Sequence, residues 1–347
     1  MTAPPVIVAI PARNEVIHIG PCLRALAAQP SAATAIAGVI VFANNCTDAT
    51  AAVAASIVAP FPIEIISAEL APEHAHIGHA RRGATDAALA FMKRGGFDDA
   101  IIAGTDADSR AEPGWLAALQ AAFSDDVAAV CGAIDLAGPL PPPLAAALSE
   151  EAAYAETSAR VVAWLDPLAH DPWPNHIWCW GANFAVRAST LVAAGGSPIV
   201  DLAEDRALHA ELKRLDFAVR HSASVRVRTS ARYAGRAPGG FAQQLVTYAN
   251  DAQAFADFYL EPAAVTWHRA RERGIARRRW GNRPGFGAWW ADHEANRADL
   301  TRQRIAIAAL TAETSRLRAM LTAASGRSDS SPLAAAEPPQ RRGAARQ

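Results

Sequence analysis

The chain has 347 residues, a formal net charge of −1 at pH 7, and a hydrophobic fraction of 51%. A net charge this close to zero provides no global attraction to nucleic acid or to an acidic partner. The length allows one large domain or two small ones, with a sizeable hydrophobic core in either case.

The first half of the chain alternates buried strands with helices. Continuous apolar runs predict strands at 6–10, 38–43, 63–66, 100–103 and 128–134, each buried on both faces. The stretches between them predict helices at 15–28, 48–58, 80–94 and 113–123, from their capping residues and from Gly or Pro near their ends. This alternation is typical of an α/β sandwich around a mostly parallel sheet.

The pattern changes after about residue 138. The segment 139–180 is Pro-rich, then helical, then dense in Trp and His. Strand and helix signals resume at 182–228, and we predict further helices at 241–259 and 289–321. An Arg-rich stretch at 269–283 lies between them. The segment 325–347 has no periodicity, so we expect a disordered tail.

Cysteine spacing and the lack of long apolar runs indicate a cytoplasmic protein. The cysteines Cys22, Cys46, Cys131 and Cys179 form no closely spaced pair, so we expect reduced thiols rather than a zinc site or disulfides. No charged segment followed by an apolar run begins the sequence, and no uncharged apolar run of about 18 residues occurs. We therefore expect neither a secretory leader nor a spanning helix.

Polar clusters follow four of the predicted strands. Because ligands in parallel sheets bind beyond the carboxyl ends of the strands, we expect these clusters to meet at one edge. They are Pro11-Ala12-Arg13-Asn14-Glu15, Asn44-Asn45-Cys46-Thr47-Asp48-Ala49-Thr50, Gly78-His79-Ala80-Arg81-Arg82-Gly83 and Thr105-Asp106-Ala107-Asp108-Ser109.

Asp106 and Asp108 form the sharpest of these signals. Alternate residues of an extended segment point the same way, so both carboxylates can address one cation directly or through water. Hard oxygen ligands suit Mg²⁺ or Mn²⁺, and such an ion stabilises a diphosphate as a leaving group. The alternative is that the two residues only cap a helix or shape a turn.

The motifs in this order resemble glycosyltransferase family 2, inverting nucleotide-sugar transferases with the GT-A fold. The second motif is similar to the family's Asp-Asp-x-Ser-x-Asp-x-Thr, with Asn in place of the leading acids. The resemblance continues through 181–187 and the pair Glu204-Asp205, and covers roughly residues 5 to 245. It implies an α/β, GT-A three-layer sandwich with a mostly parallel central sheet, followed by a C-terminal helical extension.

The resemblance also implies a domain organisation. Residues 1–245 would form the catalytic domain, with 1–138 as its nucleotide-sugar half and 139–245 as its acceptor half. Residues 246–324 would form the helical extension, and 325–347 the tail. The function it implies is transfer of a hexosyl-type sugar from a nucleoside-diphosphate sugar to an acceptor hydroxyl.

Donor contacts are implied at the first two motifs. Pro11, Ala12 and Arg13 correspond to the loop that holds the nucleobase. Glu15 would lie near the base or ribose, unless it only complements a helix N-terminus. Asn44 would hydrogen-bond the base. The family favours uridine for that base.

Diphosphate and metal contacts are implied at the later motifs. Arg81 would face phosphate, although Arg81 and Arg13 could instead be surface residues. Asp106 would face ribose or a metal-bound water, and Asp108 would bind Mg²⁺ or Mn²⁺ directly. Arg236, like Arg232, lies near a loop that could close over the diphosphate.

Acceptor chemistry is implied at the second acidic pair. An inverting transfer needs a base under the acceptor hydroxyl. We choose Asp205 for this role, with Glu204 as the alternative. Both carboxylates could instead only stabilise the positive end of the helix dipole. Trp180, Gly181 and Asn183 would line the acceptor side, although Trp180 could instead be core. His221 is predicted to be structural rather than a third metal ligand.

Other readings remain open at this stage. A sugar-phosphate nucleotidyltransferase would carry a Gly-rich loop after the first strand, which this chain lacks. A non-catalytic binding protein and a retaining enzyme are further alternatives. The stretch 269–283 could contact anionic lipid at the inner membrane face or form a solvated surface. The C-terminal helix could support oligomerisation, and the acceptor is undefined.

Overall fold

The computed structural model describes residues 4–124, 126–233, 235, 239–251 and 253–326. Its strands lie in one sheet. They are β1 (Val6–Ala12), β2 (Ile36–Asn44), β3 (Ile63–Ala68), β4 (Ile101–Gly104), β5 (Ser109–Ala111), β6 (Ala129–Ala137), β7 (Phe184–Arg187) and β8 (Val219–Ser230).

Helices cover both faces of the sheet and much of the C-terminal part. They are α1 (Ile19–Ala27), α2 (Ala32–Ala35), α3 (Thr50–Ala55), α4 (Ile77–Arg94), α5 (Trp115–Ala122), α6 (Pro142–Leu165), α7 (Ala188–Ala193), α8 (Glu204–Arg214), α9 (Phe241–Asn250), α10 (Ala263–Trp280), α11 (Phe286–Ala295) and α12 (Leu310–Ser325).

The strand order is β3-β2-β1-β4-β7-β6-β8-β5. The first four strands in this order run parallel, and β6 is parallel to β8. β7 is antiparallel to both its neighbours, and β5 is antiparallel to β8. The predicted α/β fold with a mostly parallel sheet is confirmed. β5 escaped prediction because it is a three-residue edge strand with a polar sequence.

Alternation along β1 explains the three layers. Val6, Val8 and Ile10 pack with α1, α3 and α5 on one face of the sheet. Ile7 and Ala9 pack with α4, α7 and α8 on the other. Because successive side chains of a strand point to opposite faces, a continuous apolar run can serve both cores.

Two predicted helices are shorter than the sequence indicated. The helix predicted at 241–259 ends as α9 at Asn250, where Asp251 Oδ1 accepts a hydrogen bond from the Gln253 N–H at 2.8 Å. Such a side-chain turn competes with helix continuation. The stretch 289–321 is divided between α11 and α12, and the intervening chain forms an antiparallel bridge from Phe255 to Ala306.

A separate hydrophobic core joins the C-terminal helices to α6. Tyr154, Val161, Leu310 and Leu317 are fully buried in it. At the end of α6, Asp166 lies 2.6 Å from Arg273 Nε and 2.7 Å from Arg277 Nε of α10. Burial opposes the charge of Asp166, but the two arginines outweigh burial and hold its pKa below the usual value. This contact fixes α10 against α6.

The Arg-rich stretch is therefore not one continuous basic surface. Arg269 is buried and makes two hydrogen bonds to Glu261, at 2.7 and 2.8 Å. Arg273 and Arg277 bind Asp166. The arginines that stay exposed are Arg271, Arg278, Arg279 and Arg283. Within the described ranges, no helix is both long and apolar enough to cross a membrane.

We expect Asp166→Asn to lower the free energy of unfolding by about 3 kcal/mol, because it leaves two half-buried cations without their counterion. Urea denaturation followed by circular dichroism measures the change. Asp135→Asn is the matched control, since Asp135 pairs with Arg226 at the surface and its loss should cost about 1 kcal/mol or less. Equal losses in the two variants would contradict this account of the contact.

Candidate functional site

The loops after β1 and β2 are hydrogen-bonded to each other. Asn14 Oδ1 accepts from the Thr47 N–H at 2.7 Å, and the Glu15 N–H donates to Thr50 Oγ1 at 2.7 Å. Asn14 and Asn45 have φ values of 53° and 48°, a left-handed conformation that Asn tolerates better than most residues. The two strand-end motifs thus form one rim at the carboxyl edge of the sheet.

The predicted nucleobase contacts lie together on this rim. Pro11 and Ala12 end β1 and pair in register with the last residues of β2, and Asn44 ends β2 with its side chain buried. Arg13 follows β1, and its Nη1 donates to the Ala75 carbonyl oxygen at 3.0 Å. Arg13 is half-buried.

An acidic centre forms around Asp108, after β4. The Arg232 guanidinium, which follows β8, donates two hydrogen bonds to Glu15 at 2.8 and 2.6 Å. Arg232 Nη2 also lies 3.1 Å from Asp108 Oδ2. Burial and the neighbouring Asp106 raise the pKa of Asp108 to about 6. The structure therefore gathers carboxylates from the first and fourth motifs around one cation.

Arg81 of α4 connects this centre to the second acidic pair. Its side chain is buried; Nη2 donates to Asp106 Oδ1 at 2.8 Å, Nε to Glu204 Oε1 at 2.8 Å, and Nη1 to the Gly181 carbonyl oxygen at 3.0 Å. Burial opposes its charge, but Asp106 and Glu204 outweigh burial and raise its pKa further. All three nitrogens of Arg81 thus bind protein groups, where we predicted a contact with phosphate, and burial contradicts the surface alternative.

The close approach of Arg81 requires glycine at position 181. A Cβ atom there would lie 2.4 Å from Arg81 Nη2, well inside van der Waals contact. The Gly181 N–H in turn donates to Asp205 Oδ2 at 2.6 Å. Gly181 therefore connects Arg81 to the predicted base, because its carbonyl oxygen accepts from Arg81 and its N–H donates to Asp205.

Asp205 and Glu204 begin α8 but differ in their surroundings. Asp205 is half-buried, and its oxygens accept the N–H groups of Gly181 and Arg206 at 2.6 and 2.7 Å. Burial and the charge of Glu204 raise the pKa of Asp205 to about 6. Glu204 is buried and bound by Arg81. Asp205 thus has the more accessible carboxylate of the pair.

The predicted acceptor residues divide into a surface residue and a buried one. Trp180 is half-buried and stacks on Trp178, with ring centroids 5.1 Å apart, while Trp178 packs against the C-terminal core. Asn183 is buried; its amide donates to the carbonyls of Ala133 and Val225, both at 2.8 Å, and accepts from Trp115 Nε1. Its side chain joins β6 to β8 inside the fold instead of facing an acceptor.

Some residues around the site are missing from the sequence-based set. Arg232 was noted only as a loop neighbour, because nothing in its local sequence reveals its pairing with Glu15. Asp257 Oδ2 binds Arg206 Nη2 at 2.6 Å, and the Arg206 guanidinium lies 4.9 Å from the Tyr259 ring centroid. These contacts bring the C-terminal part beside α8. Arg236, predicted to bind the donor, lies outside the described residues.

A family model described as "Glycosyltransferase like family 2" matches residues 4–234. The chain belongs to this family. Family membership and the GT-A type of α/β fold, both predicted from the motifs, are therefore confirmed. No curated protein matches the chain.

Solved structures of the same fold include a mannosyltransferase from Pyrobaculum calidifontis in complex with GDP-Man and Mn²⁺. It is 16% identical over 92% of this chain and 87% of its own, with a TM-score of 0.50. The chain is also similar to TarS 1–349 from S. aureus in complex with UDP, with 15% identity, coverages of 80% and 73%, and a TM-score of 0.44. A mycobacterial protein is 17% identical, with coverages of 71% and 73% and a TM-score of 0.41.

We expect Arg81→Gln to lower the free energy of unfolding by about 3–5 kcal/mol, because it leaves Glu204 buried without a counterion. Asp86→Asn, in the same helix, removes only an exposed pair with Arg82 and should cost about 1 kcal/mol or less. Chemical denaturation of the two variants side by side gives both values. Similar losses would show that the Arg81 contacts do not carry the stability assigned to them.

Proposed function

We propose that this protein is an inverting glycosyltransferase that moves a sugar from a nucleoside-diphosphate sugar to an acceptor hydroxyl. The observation that carries the proposal is the binding of two carboxylates by the buried Arg81 side chain. One buried guanidinium binds both Asp106, beside the nucleotide rim, and Glu204, beside the accessible Asp205. One guanidinium therefore holds an acid of the donor side together with the acidic pair that carries the proposed base, which supports a direct sugar transfer between the two sides.

The acidic centre fits a hard divalent cation. Asp106 and Asp108 offer carboxylate oxygens, the ligand type that Mg²⁺ and Mn²⁺ prefer. The Arg232 guanidinium, 3.1 Å from Asp108, indicates that this cluster attracts positive charge. We assign direct metal binding to Asp108 and the ribose or a metal-bound water to Asp106. When bound, the cation would neutralise the diphosphate leaving group.

The donor class follows from the family and the rim geometry. Pro11, Ala12, Arg13 and Asn44 offer a site for the nucleobase at the ends of β1 and β2. The mannosyltransferase solved with GDP-Man and Mn²⁺ supports a nucleotide-sugar donor here. The family resemblance favours uridine. The thermal-shift test below therefore compares UDP with GDP.

Asp205 is the proposed general base. Two backbone N–H groups fix its carboxylate, and each oxygen keeps a lone pair for the proton of the acceptor hydroxyl. A pKa near 6 makes it a stronger proton acceptor than an ordinary carboxylate while it stays ionised at neutral pH. Because Arg81 binds the Glu204 carboxylate, we assign the proton transfer to Asp205. Attack from the face opposite the leaving group would invert the anomeric centre.

The remaining assignments complete the proposal. Residues 1–138 would bind the donor and 139–245 the acceptor, with Trp180 presenting an aromatic face to it. Residues 246–324 would form a helical extension that supports α8 through Asp257. The exposed arginines of 269–283 would make any contact with anionic lipid. Helix α12 would mediate oligomerisation. Both remain predictions.

The donor-site proposal predicts that a nucleoside diphosphate with Mn²⁺ raises the melting temperature, and that neither component does so alone. At a concentration of about 100 Kd the gain is about 2.7 kcal/mol. A thermal-shift screen of UDP and GDP measures it. Asp108→Ala should abolish the shift, whereas Asp86→Ala, an exposed acid of α4, should keep it. A shift that survives in Asp108→Ala would reject the metal site.

The base assignment predicts that Asp205→Asn lowers kcat about 10²–10⁴-fold while the donor-dependent thermal shift is retained. Asp201→Asn, an exposed acid four residues upstream, should leave kcat unchanged. In the wild type, kcat/KM should fall as pH drops below about 6, because protonated Asp205 cannot accept a proton. Product of retained anomeric configuration, seen by NMR, would refute inversion.

A further inference from the structure

Three buried side chains meet between helix α8 and the sheet, away from the acidic centre. Cys131 of β6, His209 of α8 and His221 of β8 each offer a ligand atom, and these atoms lie within 4.8 Å of one another. We call this group the Cys–His cluster. Cys131 is far from the two histidines in the sequence, so the spacing of cysteines gave no sign of the cluster.

The sheet and one helix build the cluster. β6 and β8 run parallel, and their register pairs Cys131 with His221, so both side chains emerge on the same face. α8 packs on that face through Leu208 and Leu212, which turns His209 toward the strands. The cluster therefore rests on rigid elements.

Asp171 fixes the orientation of His221. Its Oδ1 accepts the His221 backbone N–H at 2.8 Å, and its Oδ2 lies 2.8 Å from His221 Nδ1. Because a carboxylate only accepts, Nδ1 carries a hydrogen, and the other ring nitrogen, Nε2, lies 3.1 Å from His209 Nε2. A carboxylate on the far nitrogen is the arrangement that commonly orients a metal-binding imidazole.

We propose that Cys131 Sγ, His209 Nε2 and His221 Nε2 bind a divalent metal ion of the zinc class. Ligands at about 2.0–2.3 Å from a tetrahedral zinc ion are roughly 3.3–3.8 Å apart, so two Nε2 atoms at 3.1 Å need to move only slightly. Thiolate and imidazole are ligands for zinc rather than for Mg²⁺. The site is thus chemically distinct from the carboxylates at Asp106 and Asp108.

Cys179 lies beside the cluster but is not one of its three ligand positions. Its thiol lies within hydrogen-bonding reach of the Cys131 thiol and 3.7 Å from the Asp205 carbonyl oxygen. His176 is also near, with its ring centroid 5.5 Å from that of His221. However, the Trp178 N–H donates to His176 Nδ1 at 3.2 Å, which leaves the hydrogen on Nε2 and makes this imidazole a donor rather than a ligand.

A metal ion here would act on the reaction through position. It would join β6 and β8 to α8, one helical turn after Asp205. The contact of the Cys179 thiol with Cys131 would also hold the segment that leads into Gly181, whose N–H binds Asp205. The ion would therefore fix the base relative to the sheet without touching the substrate.

The competing description is a metal-free hydrogen-bonded chain from Asp171 through His221 to His209. It satisfies the same nitrogens with one proton between the two Nε2 atoms. The metal content of the full, untagged chain separates the two descriptions. We expect about one zinc ion per chain by elemental mass spectrometry, retained in the presence of excess Mg²⁺.

Variants locate the ion. Cys131→Ser and His221→Gln should each lose most of the zinc. The matched control is the double variant His74→Ala and His79→Ala. These imidazoles contact each other outside the cluster, with centroids 4.3 Å apart, and the variant should keep the zinc. Asp108→Ala should also keep it. Zinc lost with Asp108→Ala but kept in the cluster variants would overturn the proposal.

Cobalt substitution tests the ligands even if the cluster variants fail to fold. Wild-type protein loaded with Co²⁺ should show a sulfur-to-metal charge-transfer band and the visible bands of a tetrahedral ion. A zinc-free wild type that shows neither band and has an unchanged melting temperature in added Zn²⁺ would establish the metal-free chain instead.

Discussion

The buried guanidinium of Arg81 is the contact on which the rest of the site depends. It brings Asp106, Glu204 and the Gly181 carbonyl within 3.0 Å of one cation, from three separate parts of the chain. A buried charge is tolerated only when its partners are in place, so these parts must assemble together. The donor edge and the base helix are therefore not independent.

Two arginines offset the repulsion between the acidic residues that gather at this site. Glu15 and Asp108 face Arg232, while Asp106 and Glu204 face Arg81. Among the described residues Asp205 has no such ion pair. Backbone N–H groups bind its carboxylate, while burial and the charge of Glu204 raise its pKa. The more accessible carboxylate of the second acidic pair thus has a raised pKa, which suits the proton transfer we propose.

Helix α8 has a double role in this arrangement. Its first residues carry the proposed base, and its next turn carries His209 of the Cys–His cluster. On the opposite side, Arg206 binds Asp257 of the C-terminal part. The orientation of Asp205 therefore depends on the sheet, on the buried cluster and on the C-terminal helices together.

The sequence by itself determined the family, the layer architecture and the strand-end motifs, because apolar periodicity and local polar clusters are short-range signals. It indicated the two acidic pairs but not what surrounds them. Only the tertiary structure decided that Arg81 links the pairs, that Arg232 joins Glu15 and Asp108, and that the Asn183 amide lies inside the fold. It also brought Cys131 to His209 and His221. These contacts join residues far apart in the chain, and long-range packing of a sheet and its helices leaves no local pattern from which they can be predicted.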